Sequence, residues 1–71
     1  MIEMHYVQSS NVESVGYDAE LMELHVRYLS SATIYVYLNV PQQIYDELMV
    51  APSKGSYLAR CVKNVFPFER R

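Results

Sequence analysis

Four consecutive residues, Ser53-Lys54-Gly55-Ser56, put two hydroxyls, a conformationally free glycine and an ammonium where a helix is expected to begin. Unpaired backbone N–H groups and the positive end of the helix dipole make such a point suited to a phosphate or carboxylate. The full glycine-rich phosphate-loop pattern is missing, and a plain helix cap beside a solvated lysine explains the same letters. Tyr35 and Tyr37, two positions apart on an expected strand, share one sheet face and offer rings on which bases can stack. Core or cross-strand packing, with the hydroxyls at the edge, is the stronger account of the pair, because no basic residue flanks them in sequence. Lys54, Arg60 and Lys63 are the cations that tertiary folding can bring to such a face.

Other chemistries lack parts. His5 and His25 stand 20 positions apart with a single cysteine, whereas a metal site needs three or four converging ligands. Cys61 falls on the apolar side of an expected helix, where a small buried hydrophobe is expected rather than a nucleophile. No base and orienting group can be nominated for a serine, a cysteine or a carboxylate pair. The expectation is therefore a protein that is not an enzyme and takes no metal and no cofactor.

A chain of 71 residues makes one domain, spanning 1–71, with a small core. Hydrophobic residues at 51% and charged residues at 20% suit a folded globule and not a disordered tail. Seven tyrosines against no tryptophan imply an amphipathic, contact-making surface. The net charge of −2 is unevenly spread. Residues 1–53 hold seven acids and one base, Arg27; residues 54–71 hold five bases and one acid, Glu69. Such a basic quarter either steers anions or neutralises the acidic body across the fold. One cysteine allows no internal disulfide, so a reducing, cytoplasmic setting is the default. Glu3 and the lack of an early apolar run argue against a signal peptide, and no stretch approaches the roughly 18 apolar residues of a membrane span, so a soluble protein is expected.

The elements that must position these residues follow from periodicity. Residues 2–8 alternate weakly and suit an edge strand, and Ser9-Ser10-Asn11 form a turn. A strand over about 11–17 follows, with Gly16 as a bulge. Over 21–29, Met22, Leu24, Val26 and Tyr28 alternate with Glu23, His25 and Arg27, the pattern of a half-buried antiparallel strand. A tight turn at Ser30-Ser31 returns the chain as a central strand over 33–40. Pro41 suits the first position of a helix in which Val40, Ile44 and Leu48 line up at i, i+4, i+8. Pro52 ends that helix, Ser53 caps a second through the N–H of residue 55 or 56, and Pro67 stops it. Phe66-Pro67-Phe68 reads as an extended aromatic tail able to fold back on the sheet, and Glu69-Arg70-Arg71 as a frayed end. The result is an α+β domain: a three- to four-stranded antiparallel β-meander followed by two C-terminal α-helices.

Several of these segments together resemble the KTSC domain, a family found at the C-terminus of some lysyl-tRNA synthetases and as stand-alone bacterial and phage proteins. The resemblance spans nearly the whole chain. It rests on Ser9-Ser10-Asn11-Val12, Val15-Gly16-Tyr17-Asp18, Tyr35-Val36-Tyr37 with Val40-Pro41, and Ala51-Pro52-Ser53-Lys54-Gly55 with the aromatic Tyr57. Ala59 stands where the family often has Asn, and Val36 where a basic or polar residue is common. The resemblance implies a domain for which RNA binding has been suggested, and supplies no catalytic residues.

Two functions are expected from these observations. The first is a non-enzymatic module binding RNA or another phosphate-containing ligand, with Tyr35 and Tyr37 as stacking partners, Lys54, Arg60 and Lys63 as electrostatic contacts, and Ser53, Gly55 and Tyr57 around the helix start. The alternative is a phage-type protein that docks a protein partner or sequesters a nucleotide-like ligand as a homo-oligomer. Exposure of the tyrosine face discriminates between them, and the site is expected where that face meets the N-terminus of the second helix.

Overall fold

The computed structural model describes residues 2–71. Strands β1 (His5–Tyr6), β2 (Val12–Asp18), β3 (Glu23–Tyr28) and β4 (Ile34–Tyr37) lead into helices α1 (Gln42–Val50) and α2 (Lys54–Cys61), and β5 (Phe68–Arg70) closes the chain. The strands form one antiparallel sheet in the order β1-β2-β3-β4-β5.

Local chemistry sets each reversal. At the β2–β3 turn the Asp18 carboxylate accepts the backbone N–H groups of Glu20 and Leu21 at 3.0 and 3.1 Å, the usual way an Asp stabilises a turn. Met22 then enters the left-handed region at φ 56°, and its carbonyl accepts the Val40 N–H at 2.9 Å. At the β3–β4 turn the Ser31 hydroxyl accepts the Thr33 N–H at 3.0 Å. The Ser53 hydroxyl accepts the Ser56 N–H at 3.3 Å, so the cap of α2 is the one its sequence indicates.

Both helices cover the same face of the sheet. Val12 and Val15 of β2, Leu24 and Val26 of β3 and Tyr37 of β4 pack with Val40, Leu48, Tyr57, Leu58 and Val62. Burial of side chains of this size stabilises by about 1.5–3 kcal/mol each and outweighs the weak intrinsic preference of short strands. Tyr17 and Tyr45 stack with centroids 5.2 Å apart, tying β2 to α1. Ile44 and Leu48 turn inward and Gln42, Gln43 and Asp46 outward, as the helical spacing predicts.

Five expectations are corrected. The sheet has five strands, not three or four, because the expected tail and frayed end supply β5, which pairs Tyr35 with Arg70 and Tyr37 with Phe68. Pro67 is no obstacle, since the sheet uses its carbonyl, which accepts the Leu38 N–H at 2.8 Å. The edge strand expected over 2–8 shrinks to His5–Tyr6, and the strand expected over 33–40 ends at Tyr37, before Asn39 turns left-handed at φ 61°. Pro41 is the cap of α1, with ψ 153°, and not its first helical residue. The bulge lies between Val12 and Ser14, whereas Gly16 pairs regularly with His25.

Gly16 is small for a different reason. A methyl group there would stand 2.5 Å from the Glu3 carbonyl oxygen and 2.9 Å from the Met4 sulfur, because the N-terminal segment crosses β2 at this point. Gly16→Ala therefore destabilises the protein by about 1–3 kcal/mol through overpacking against backbone, even though alanine narrows the unfolded ensemble. Urea denaturation measures this, and an unchanged or raised midpoint would show that the crossing segment yields freely.

Candidate binding groove

The registers of β3, β4 and β5 bring four aromatic side chains together. Tyr37 lies opposite Leu24 on one side and Phe68 on the other, Tyr35 lies opposite Val26 and Arg70, and Tyr28 follows in the same phase of β3. Residues directly opposite in an antiparallel pair share a face, so all of these rings stand on the helix side of the sheet. Tyr28 and Tyr35 meet edge to face with centroids 5.4 Å apart, and Phe68 leans on Tyr35 and Tyr37 at 5.6 and 5.8 Å. The Tyr28 and Tyr37 hydroxyls share a hydrogen bond of 3.1 Å.

These rings wall a cavity of about 430 Å³, bordered by Ser30 and Ser31 of the β3–β4 turn, by Lys63 and Asn64 beyond α2, and by Asn11. The Lys63 ammonium lies 5.1 Å above the centre of the Tyr28 ring, within cation–π range. Burial pushes the Tyr28 phenol far above its ordinary range, with the hydrogen bond to Tyr37 and the neighbouring phenols adding to the shift. Burial also raises Tyr37, against the opposing effect of its bond to Tyr28. Both groups therefore offer neutral hydroxyls. With one ammonium, neutral amides and hydroxyls and no carboxylate on its walls, the groove suits a flat ligand bearing an anionic group. A second hollow, of about 350 Å³, is bordered by Glu3, Asp18 and Glu20 and repels anions.

The residues singled out in the sequence divide into two groups. Tyr35, Tyr37 and Lys63 come together at the groove. Tyr37 is only 2% exposed, which removes it as a stacking surface, while Tyr35 is half-buried between Tyr28 and Phe68. The others serve α2. Ser53 caps it, and the Lys54 ammonium donates to the Ala51 carbonyl at 2.7 Å. A side chain at Gly55 would overlap the Asn11 amide, so the glycine permits the β1–β2 loop to sit against the helix start. Tyr57 is buried with its hydroxyl donating to Glu47 at 2.7 Å, and Arg60 donates to the Ser56 hydroxyl at 3.4 Å. The tyrosine face thus meets the C-terminal end of α2, not the N-terminal end.

Tyr28, Phe68, Asn64 and Asn11 complete the groove and were not singled out from the sequence. Tyr28 carried a signal, since it continues the Leu24-Val26 alternation onto the face that Tyr35 and Tyr37 share. Phe68 carried none for the groove, because its position depends on β5 pairing with β4, and Asn64 is set by the turn that leaves α2.

The KTSC domain family matches residues 8–66 of the chain. A protein of Tsukamurella paurometabola is 38% identical over 63 residues, covering 89% of this chain and 92% of that protein. A lysine–tRNA ligase of Nostoc punctiforme is 29% identical over 63 residues, covering 89% of this chain and 11% of the ligase. The crystal structure of a KTSC domain protein from Yersinia pestis matches with a TM-score of 0.95 at 28% identity, covering 100% of this chain and 99% of that one.

Tyr57 is structural in this arrangement, and its bond supports a pH-dependent contribution. The Tyr57 hydroxyl, with help from Gln43, holds the Glu47 carboxyl below its ordinary value of 4.5. A carboxyl depressed in the folded state stabilises above the unfolded value and loses that contribution as pH falls through the folded one. Tyr57→Phe accordingly lowers the melting temperature at neutral pH and flattens its decline below about pH 4.5. Thermal melts of both proteins across the acid range measure this, and parallel curves would deny the bond any energetic role.

Proposed function

This chain belongs to the KTSC domain family, and from that premise we propose that it is a non-enzymatic binding module whose groove receives a phosphate-bearing aromatic ligand, with single-stranded RNA as the leading case. Lys63 carries the proposal. Among the described residues it forms no ion pair with a carboxylate, and its ammonium faces only the Tyr28 ring at the groove. A cation held over an aromatic wall without an acidic partner is ready to exchange its contact for a phosphate. Phe68, 48% exposed at the rim, replaces Tyr37 as the ring on which a base stacks. The presence of a related segment within lysine–tRNA ligases supports the choice of RNA over other phosphate-bearing ligands.

Titration of a short labelled single-stranded RNA, followed by fluorescence anisotropy, tests this. Binding weakens as salt rises, and Lys63→Ala removes about one phosphate contact, roughly 0.7 in the log–log salt slope. Phe68→Ala costs about 1–3 kcal/mol, the range of one base stack. Lys54→Ala leaves affinity unchanged, because that ammonium is tied to Ala51. Absence of binding at low salt, or equal losses for the Lys54 and Lys63 variants, rejects the proposal. If light scattering then shows a dimer, the protein-association alternative takes its place.

A further inference from the structure

Arg70 and Arg71 stand side by side and carry the same charge, so nothing in the sequence tells them apart. The sheet separates them. Ile34 and Arg71 exchange backbone hydrogen bonds at 3.0 and 2.8 Å, and the Leu38 N–H reaches the Pro67 carbonyl at 2.8 Å. Tyr35 with Arg70 and Tyr37 with Phe68 are therefore pairs of the kind that share no hydrogen bond, in which the side chains stand closest together on one face. Arg70 thus projects on the helix side, beside Tyr35 and two residues along β5 from Phe68. Arg71 projects on the other side, where Glu69 holds it at 2.7 Å and Glu23 at 3.5 Å.

Among the described residues the exposed Arg70 side chain enters no hydrogen bond and no ion pair. Its neighbours along and across the strand on that face, Phe68 and Tyr35, are uncharged. One row then crosses the sheet: the Lys63 ammonium lies over the Tyr28 ring, Tyr28 meets Tyr35 edge to face, and Tyr35 lies opposite Arg70. A cation stands at each end of this aromatic row, and Phe68 leans on its middle. A guanidinium grips a phosphate through two parallel N–H donors, a geometry that no carboxylate occupies at Arg70. We infer that Arg70 is a second phosphate-contacting residue, and that an RNA single strand held at Lys63 continues past Phe68 and Tyr35 and leaves the groove over β5. This rests on the groove being an RNA site, and adds the path of the bound strand and the residue that holds its far side.

The neighbouring arginine supplies the control. A short labelled single-stranded RNA is titrated against the intact chain at several salt concentrations, and the log–log salt slope is read for each variant. Arg70→Ala lowers the slope by about 0.7, the same loss as Lys63→Ala, and the double variant loses about 1.4. Arg70→Lys keeps the slope, and Arg71→Ala, which removes an equal charge from the opposite face, leaves it unchanged. Equal losses for Arg70→Ala and Arg71→Ala overturn the inference, because net charge alone then accounts for both. Weaker binding of Arg70→Ala at an unchanged slope overturns it too, since a loosened β5 that shifts Phe68 gives that result. An unaltered Arg70→Ala beside a reduced slope for Lys63→Ala overturns the inference and leaves the groove as an RNA site. If no RNA binds, or if the slope falls at Arg70 and not at Lys63, both proposals fall.

Discussion

Ile34 and Arg71 exchange two backbone hydrogen bonds, at 3.0 and 2.8 Å, and the groove depends on that closure. The pairing brings the last strand against a strand more than thirty residues earlier, after two helices have crossed the sheet. Closing so long a loop has an entropic cost, which the helices offset by burying Leu48, Leu58 and Val62 against β2, β3 and β4. With β5 in place, Phe68 is brought beside Tyr35 and Tyr37, and the connection from α2 is held with Lys63 and Asn64 over the rings. The core, the sheet closure and the site are therefore one assembly.

Local signals made most of the architecture legible. The β3 alternation, the Ser53 cap and the i, i+4, i+8 row of α1 each declare themselves within a few residues, and each is where the sequence indicates, except that β3 begins at Glu23 and leaves Met22 in the turn before it. The fifth strand was legible only as an extended tail able to fold back on the sheet, not as a strand with a register. Phe68-Glu69-Arg70 is short and mostly charged, and no local preference makes it a strand until Ile34, Val36 and Leu38 present a free edge. The site inherited this gap: Tyr35, Tyr37 and Lys63 were recognisable, while Phe68 acquires its position only from the long-range pairing. Gly16 and Gly55 show a related limit, since each is small because a distant segment, Glu3-Met4 or Asn11, passes over it.

Electrostatics narrows the choice of cation further. The basic C-terminal quarter does not gather into a single patch. Arg71 pairs with Glu69 at 2.7 Å and reaches Glu23 of the acidic body at 3.5 Å, on the sheet face opposite the helices. Lys54 and Arg60 bond within the α2 region. Neutralisation across the fold thus accounts for part of the charge asymmetry, and such exposed pairs contribute little stability. Lys63 differs in that its ammonium lies over an aromatic ring.

The floor of the groove has a consequence for which of its walls can vary. Tyr37 belongs to the hydrophobic core, and Tyr28 and Tyr35 pack directly against it. A substitution at any of these three rings therefore disturbs the packing of the fold together with the shape of the groove. Ser30, Asn64 and Lys63 stand at the exposed rim and pack into nothing the fold requires. Change in the groove that leaves the core intact is therefore channelled to two short segments, the β3–β4 turn and the exit from α2.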